Sequence, residues 1–409
     1  CALPIFDMGG TTAKAGVIQN GEVLTTGAAL IGGYEQALPV QIPMIDIFEA
    51  GTGGGSIARV AEGGALYVGP ESAGAEPGPA CYGAGGLEPT ITDANLILGR
   101  LGADSFLGGE MKLDAKAAEK ALYTRIAAPL GLSIPESAQG IIDIAVTKMA
   151  YAVKAVTTQR GLDAGSFTLV AYGGAGPLHA SAVARELGIS RVLIPRAPGH
   201  FSAAGMLFSD LRYDYVKTRF TKLADLDFAE FETMFRALED EGRNAVAAAG
   251  LSLKETTTAR ALDMRYAGQE HLVTIAVPHV HFAKQDREAI KQLFDDEHRL
   301  RYGTAAPNEA AEVASLRTAV TGVLAKPSFE PIARGTEVVP PKARRPARQA
   351  CFGGKFVETA VFDRGPLLAG NRIAGPALIE EHASTTVAMP GDTVEVDNLG
   401  NLAIAVGAP

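Results

Sequence analysis

The chain opens with short apolar segments separated by polar, glycine-containing turns. Residues 2–6 are apolar, residues 7–12 form a glycine turn, and residues 13–18 alternate weakly between apolar and polar side chains. Asn20-Gly21 then predicts a tight type I′ hairpin turn into a further strand over 22–25. The opening therefore predicts strands joined by turns, with the first turn rich in glycine.

A βαβ unit is predicted near the middle of the chain. Apolar residues at three- and four-residue spacing predict a helix over 138–160. An apolar strand over 167–172 follows, and then the glycine turn Gly173-Gly174-Ala175-Gly176. A helix over about 177–187 and a short strand over 191–195 complete the unit, which places the glycine turn at the end of its first strand.

The pattern changes after about residue 215. Amphipathic helices are predicted over 228–250 and 286–302, with two strands between them over 259–277. Residues 327–346 are rich in proline and arginine and read as an exposed connector.

Short strand patterns separated by Gly-Pro and Pro-Gly pairs fill the last sixty residues. We therefore predict an α/β protein with three regions, over 1–215, 216–326 and 327–409, the last being a small β domain.

Composition favours a globular protein without nucleic acid or membrane partners. Of 409 residues, 47% are hydrophobic and 20% charged, the net charge is −9, and the basic residues are dispersed. There is no apolar run of membrane-spanning length and no signal-peptide pattern, so the expected location is the cytoplasm. Cys1, Cys81 and Cys351 are too widely separated to form a metal or disulfide pattern.

The first turn, Asp7-Met8-Gly9-Gly10-Thr11-Thr12, combines a carboxylate, two glycines and two hydroxyls. Glycine amides and threonine hydroxyls can donate to phosphate oxygens, and the Asp7 carboxylate can hold Mg²⁺, usually through water. An ordinary glycine-rich hairpin turn is the alternative.

The second turn, Gly173–Gly176, is followed by Pro177-Leu178-His179. His179 stands where a dinucleotide-binding fingerprint requires its third glycine or alanine, so that interpretation is weak. A glycine turn before a helix can instead place an adenine or a ribose against bare backbone. A plain strand-to-helix turn is the other possibility.

Both turns resemble motifs of one ATPase superfamily. Residues 6–12 resemble the second phosphate motif of the sugar kinase, Hsp70 and actin superfamily, and residues 170–177 resemble its adenosine motif. Five other segments resemble the hydantoinase A/5-oxoprolinase family in particular: EAGTGGGSIA at 49–58, VGPESAGAEPGPACYG at 68–83, PTITDAN at 89–95, RYAGQ at 265–269 and GPALIE at 375–380.

This resemblance implies an actin-like (ribonuclease H-like) ATPase core over 1–215, with ATP and Mg²⁺ as cofactors. It also implies transfer of the γ-phosphoryl group to an amide oxygen, and hence ring-opening hydrolysis of a hydantoin or 5-oxoproline. An acetone or acetophenone carboxylase subunit, which would phosphorylate an enolised ketone, is the alternative within the family. A subunit that binds nucleotide without catalysing a reaction is the alternative that is not an enzyme.

The superfamily's first phosphate motif has no counterpart in this chain. Because the chain begins at Cys1 and runs directly into a strand, we expect an N-terminal portion or a second chain to complete the ATP site. The resemblance further implies a partner subunit of the hydantoinase B type.

The resemblance makes Asp7 the expected catalytic and metal-binding residue. The residues expected to bind the cofactor are Gly9, Gly10, Thr11, Thr12, Lys14, Gly53, Gly54, Gly55, Ser56, Gly173, Gly174, Ala175 and Gly176. Lys14 can reach a phosphate as a point charge, although a solvated strand residue is the alternative. Residues 53–56 form either a backbone cradle or a tight turn.

Other polar residues have simpler explanations. Asp93 can cap a helix as well as act in catalysis, and Cys81 lacks a base, which favours inert packing. His279 and His281 would share one face of a strand, yet an exposed loop is favoured over a metal site. His179 is expected to pack near the nucleotide.

Overall fold

A computed structural model of the chain describes residues 2–19, 21–26, 29–31, 38–40 and 44–407. The predicted Asn20-Gly21 turn lies partly outside these residues.

The strands of the described residues are β1 Ala2–Met8, β2 Ala13–Gln19, β3 Glu22–Val23, β4 Thr25–Thr26, β5 Ala29–Ile31, β6 Leu38–Val40, β7 Met44–Ile45, β8 Phe48–Ala50, β9 Ser56–Val60, β10 Leu66–Ser72, β11 Thr168–Tyr172, β12 Arg191–Ile194, β13 Leu211–Lys222, β14 Leu253–Tyr266, β15 Val273–Ala276, β16 Ala311–Leu324, β17 Arg344–Phe352, β18 Lys355–Asp363, β19 Arg372–Ala374, β20 Ala377–Glu381, β21 Ser384–Ala388, β22 Thr393–Val396 and β23 Leu402–Ala405. The α-helices are α1 Ile91–Ile97, α2 Ala115–Leu122, α3 Ala128–Leu130, α4 Ile134–Val156, α5 Gly176–Glu186, α6 Phe201–Met206, α7 Phe228–Ala248, α8 His279–Ala283 and α9 Arg287–Tyr302.

The chain divides into two compact units. The first is made of Cys1–Thr26, Pro43–Ala204 and Phe329–Pro409, and the second of Gly27–Ile42 and Gly205–Ser328. The prediction of three consecutive regions differs from this division, because the last eighty residues return to the first unit.

A mixed sheet forms the centre of the first unit, in the order β19-β22-β23-β12-β11-β1-β2-β3, with β8 also paired to β2. The predicted βαβ unit is confirmed, since β11 and β12 are parallel and α5 connects them. Strand β1 runs parallel to β11 and antiparallel to β2. Phe6 and Met8 of β1 are fully buried, because alternate residues of a strand face the core. This arrangement is the mixed α/β core predicted from the actin-like resemblance.

Helix α4 covers the sheet and supplies much of the core. The sequence predicted it over 138–160, but it begins at Ile134, because Ser133 and Glu136 form a capping box and Pro135 fits the first turn. Ile141, Ile142 and Met149 are fully buried along its apolar stripe. Each such side chain contributes about 1.5–3 kcal/mol through burial.

The C-terminal strands extend the central sheet instead of forming a separate domain. Strand β23 pairs antiparallel with β12, with Arg191 opposite Ala405 and Ile194 opposite Leu402. This pairing satisfies backbone groups that an open edge at β12 would leave unpaired. A second sheet, β17-β18-β20-β21, completes this part of the first unit.

The second unit contains the sheet β13-β16-β14-β15, in which every pairing is antiparallel. Phe231, Phe235 and Phe294 from α7 and α9 are buried in its core with Leu262 and Leu316 of the sheet. The predicted helices over 228–250 and 286–302 correspond to α7 and α9.

Candidate nucleotide site

The two glycine turns meet at one edge of the central sheet. Because β1 and β11 are parallel neighbours, with Asp7 in register with Tyr172, the turns that follow them lie side by side. The amide of Ala175 donates to the carbonyl of Met8 at 3.0 Å. Gly173 has a φ of 84°, and a Cβ there would lie 2.3 Å from the Met8 oxygen. The close contact between the turns therefore requires glycine at position 173.

A third segment, Gly53–Ser56, packs its backbone against the first turn. The amide of Gly54 donates to Gly9 O at 3.0 Å, and the amide of Gly55 donates to Gly10 O at 2.6 Å. The amide of Gly53 donates to Ser56 Oγ at 2.8 Å. These amides are thus used within the protein, so the segment supports the turn and the expected phosphate cradle is not formed by its N–H groups.

Asp7 lies between a cation and a hydroxyl. Lys14 is its cross-strand partner and reduces its pKa, and Ser202 Oγ lies 3.5 Å from Asp7 Oδ2. Burial of the half-buried carboxyl is the larger effect and raises the pKa of Asp7. Lys14 is exposed and is also in register with Glu49 of the neighbouring strand β8. Within the described residues, no group of three or more His, Cys, Asp or Glu side chains is placed to hold a metal ion.

A cavity of about 870 Å³, part of it open to solvent, lies beside the turns. One wall is made of small residues from the three glycine segments: Gly9, Gly10, Gly54, Gly55, Gly174 and Ala175. A second wall is made of apolar side chains: Pro79, Tyr82, Leu101, Phe106, Leu107 and Leu178. The Tyr82 and Phe106 rings lie 5.7 Å apart.

A third wall is the hairpin tip of residues 381–385, between β20 and β21. The tip lies against the Gly173–Gly176 turn, since a Cβ at Gly174 would lie 3.3 Å from Ala383 O. It also lies against the loop that contains Gly199, where a Cβ would lie 2.7 Å from Ala383 Cβ. The sequence did not indicate this wall, because it is about 200 positions from Gly174 and has no glycine cluster of its own.

The remaining predicted residues lie around this cavity without lining it. Thr11 is exposed, and the carbonyl of Thr12 accepts a hydrogen bond from the Gly9 amide at 3.2 Å, which closes the turn. Gly176 is buried at the first position of α5, which begins without a side-chain cap. Among the described residues, the amides of Gly10 and Gly174 have no hydrogen-bond partner, so both are available to a ligand.

Asp93 and Cys81 have structural roles. Asp93 is fully buried and forms a capping box with Thr90 at the start of α1. Its carboxylate also accepts hydrogen bonds from the amides of Ala80 and Cys81, at 3.2 and 2.7 Å. Burial raises the pKa of the Cys81 thiol far above its usual range, with the Asp93 charge adding to the effect. The inert-packing interpretation of Cys81 is therefore supported.

The histidines singled out by the sequence lie away from the cavity surface. His179 is buried, and burial, with a smaller effect of Arg100, lowers its pKa to about 3. Its Nε2 lies 3.4 Å from Asn95 Nδ2. His279 and His281 lie in the short helix α8, so they do not share the face of a strand.

Comparison with protein families gives two matches that cover most of the chain. The hydantoinase/oxoprolinase model matches residues 3–215, and the hydantoinase/oxoprolinase C-terminal domain model matches residues 224–402. The chain belongs to the hydantoinase/oxoprolinase family. The family resemblance expected from the glycine motifs is confirmed.

Individual members of the hydantoinase/oxoprolinase family show the range of activities. The chain is 40% identical to an uncharacterized protein of Methanocaldococcus jannaschii, over 98% of this chain and 58% of the relative. It is 34% identical to the caprolactamase alpha subunit of Pseudomonas jessenii, over 88% of this chain and 52% of the relative. The nucleotide-free structure of acetone carboxylase superposes with a TM-score of 0.83 at 26% identity, covering 99% of this chain and 58% of the other.

The family thus contains ATP-dependent hydrolases of cyclic amides and acetone carboxylase subunits. This chain spans about half the length of the curated relatives described above. No helix in the described part of the chain has the length and apolar character needed to cross a membrane.

Proposed function

We propose that this chain binds ATP and supports phosphoryl transfer to the carbonyl oxygen of a cyclic amide of the hydantoin or 5-oxoproline class. The observation that carries the proposal is the convergence of the Gly9-Gly10 turn and the Gly174-Ala175 turn on one cavity. Each turn resembles a motif for a different part of ATP, and a shared cavity is what joint binding requires.

The walls of the cavity match the chemistry of ATP. Bare glycine backbone lets phosphate oxygens approach the amide of Gly10 and lets the adenosine approach the amide of Gly174; neither amide has a partner among the described residues. The apolar wall around Tyr82, Phe106 and Leu178 suits the faces of a purine.

Asp7 suits the role of holding Mg²⁺ beside the phosphates. Magnesium keeps several water ligands and takes only one or two protein carboxylates together with phosphate oxygens, so a single half-buried carboxylate near the Gly9-Gly10 turn fits it. Burial raises the pKa of Asp7, and a nearby cation would favour its charged form. When bound, Mg²⁺ supplies neutralisation of the phosphoryl charge.

Phosphorylation would make an unreactive amide susceptible to attack. A bond forms between the amide oxygen and the γ-phosphorus while the bond from that phosphorus to the ADP oxygen breaks. The oxygen then bridges the amide carbon and the phosphorus, and a C=N bond replaces the C=O bond as the N–H proton is lost. The carbon becomes a better electrophile for water, and phosphate is the group that leaves. The amide of Gly10, with Lys14 as a nearby cation, is the group of this chain suited to stabilise negative charge during transfer.

We further propose that additional polypeptide segments or chains complete the ATP site and carry out the hydrolytic step. Three of the family's members matched here are about twice as long as this chain. Two of them are named as subunits, of a caprolactamase and of an acetone carboxylase, which supports a partner. The partners expected are an N-terminal portion or second chain for the ATP site and a hydantoinase B-type subunit for hydrolysis.

A carboxylase subunit is the second candidate, favoured by the superposition on acetone carboxylase. ADP release should be measured in the assembled enzyme with a hydantoin, 5-oxoproline, caprolactam and acetone, each with and without bicarbonate. Lactam-dependent release without bicarbonate is the expected result. Release that requires both a ketone and bicarbonate, with no response to any lactam, would replace the hydrolase proposal with the carboxylase.

A further inference from the structure

The hairpin tip carries a carboxylate that is held rigidly in the wall of the cavity. Glu381 ends β20 and lines the cavity, with only 15% of its side chain exposed. Its Oε1 accepts a hydrogen bond from Arg364 Nη1 at 2.6 Å. No hydrogen bond from the described residues reaches its second oxygen, Oε2. The carboxylate therefore has one anchored oxygen and one that is available to a ligand.

Arg364 fixes the orientation of this carboxylate. Its Nη2 donates to the carbonyls of Ile194, Pro195 and Gly400 at 2.9–3.1 Å. Burial raises the pKa of Glu381, and the guanidinium opposes that rise. Burying such an ion pair costs free energy, because two charges are removed from water. The presence of the pair is therefore weak evidence that it stabilises the fold. A fixed carboxylate on a cavity wall is instead suited to recognise hydrogen-bond donors of a ligand.

The position of the hairpin tip in the cavity indicates which part of a bound nucleotide it would contact. The tip contacts Gly174, in the adenosine-like turn, and Gly108, where a Cβ would lie 3.0 Å from His382, in the loop that also carries Phe106 of the apolar wall. It thus lies between the adenosine-like turn and the apolar wall that suits the base. In a nucleoside triphosphate, the group between base and phosphates is the ribose, which offers two vicinal hydroxyl donors.

We infer that Glu381 accepts a hydrogen bond from a ribose hydroxyl, and that Glu381 makes the site selective for ribonucleotides over deoxyribonucleotides. This inference rests on the proposed ATP site. A carboxylate has the same function in dinucleotide-binding folds, where it binds a ribose hydroxyl. His382, the next residue, also lines the cavity, but it is 55% exposed and its Nε2 lies 3.1 Å from Glu110 Oε1, so its partner is already a carboxylate of this chain.

Glu380 provides a matched control. Its side chain is also 15% exposed, and it also pairs with an arginine, Arg348, at 2.5 Å. Glu380 lines a neighbouring recess, which Glu381 also borders, whereas only Glu381 of the two lines the cavity. Glu380→Gln and Glu381→Gln therefore remove the same charge from equivalent ion pairs, and glutamine can still accept a hydrogen bond from each arginine.

Binding of ATP, 2′-deoxyATP, 3′-deoxyATP and inosine triphosphate, each with Mg²⁺, should be measured by calorimetry on the assembled enzyme that contains the wild-type chain or either variant. We expect the wild type to bind ATP about 10- to 100-fold more tightly than at least one deoxy analogue, because a hydrogen bond to a charged group is lost. Glu381→Gln should reduce that ratio at least about threefold, and Glu380→Gln should preserve it.

Equal affinity of the wild type for ATP and both deoxy analogues would overturn the ribose assignment while leaving the ATP site intact. A Glu381→Gln variant that changes the ratio of ATP to inosine triphosphate, with the deoxy ratios unchanged, would move the contact to the base and also overturn it. Absence of binding by every nucleotide would overturn the ATP site and this inference together. The wild-type ratios decide the first outcome even if the variant does not fold.

Discussion

The amide of Ala175 donates a hydrogen bond to the carbonyl of Met8 at 3.0 Å. This bond joins the end of β11 to the end of β1, and it brings the adenosine-like turn against the phosphate-like turn. Both turns reach the same cavity because their strands are parallel neighbours. The pairing of β1 with β11 therefore places both turns where one extended ligand can contact them.

Replacing Asp7 with asparagine should slow ATP hydrolysis by the assembled enzyme about 10²–10³-fold, because a charge that holds the metal and phosphate is lost. The variant should fold normally, since Asp7 is only half-buried at the end of β1. ADP release measures the effect. Glu49→Gln removes a charge from the same sheet, across β2 from Asp7, and should leave the rate unchanged. Equal rates for wild type and Asp7→Asn would exclude Asp7 from the reaction.

Gly10→Ala should weaken ATP binding, whereas Gly53→Ala should reduce the stability of the fold. A Cβ at Gly10 meets no atom within 4 Å, so the fold should persist while the methyl group blocks close approach of a phosphate. A Cβ at Gly53 would lie 2.4 Å from backbone atoms of Thr11, so this variant should lose about 1–3 kcal/mol of stability.

Thermal unfolding and ATP titration of both variants distinguish these effects. Gly63→Ala is the control, because a Cβ at Gly63 also meets no atom within 4 Å, and Gly63 lies outside the cavity. We expect Gly10→Ala to reduce ATP affinity by about tenfold, or about 1.4 kcal/mol, with little change in Tm. A Gly10→Ala variant with unchanged affinity would remove the turn from the binding site.

His179 should make the protein sensitive to mild acid. Its pKa is about 3 in the folded chain, against 6.5 for the ordinary side chain. Between these values the unfolded state binds the extra proton, so stability is complete above about pH 6.5 and decreases as the pH falls towards 3. The decrease is up to about 1.4 kcal/mol per pH unit from this group.

Urea unfolding at pH 7.5, 6 and 5 tests the effect of His179. His179→Gln should show a shallower decrease in stability than wild type over this range, although it starts from a lower value because a buried side chain has changed. His271→Gln, at an exposed position, should follow the wild-type slope. Parallel slopes for wild type and His179→Gln would show that the imidazole is not buried in its neutral form.

The second unit should depend on the buried pair Asp263 and Arg317. The Arg317 Nε donates to both oxygens of Asp263 at 2.7 and 2.8 Å, and Thr274 Oγ1 donates to Asp263 at 2.6 Å. Asp263→Ala should reduce the free energy of unfolding of this unit by about 3–5 kcal/mol, because a buried guanidinium loses its counter-charge.

An exposed pair in the same unit provides the comparison. Arg219 and Glu230 have side chains that are 45% and 36% exposed, so Glu230→Ala should cost less than about 1 kcal/mol. Chemical denaturation monitored by tyrosine fluorescence or circular dichroism measures both losses. Similar losses for the two variants would contradict the burial argument.

Local chemistry made several elements predictable from sequence. The apolar stripe of α4 and the apolar segment of β11 follow from spacing alone. The two glycine turns were recognisable because a backbone that closely approaches a phosphate or another backbone segment needs small residues at fixed positions. The capping box at Ser133 and Glu136 was also present in the sequence and would have placed the start of α4 correctly.

Sequence by itself determined the two glycine turns, the βαβ unit and the long helices α4, α7 and α9, because those choices depend on neighbours within a few positions. Only the tertiary structure decided that β23 pairs with β12, that the Gly54 and Gly55 amides are bonded to the first turn, and that Glu381 lines the cavity. Each of these joins segments far apart in the chain. Backbone groups are chemically alike in every residue, so a hydrogen bond between distant segments is chosen by packing and leaves no local pattern.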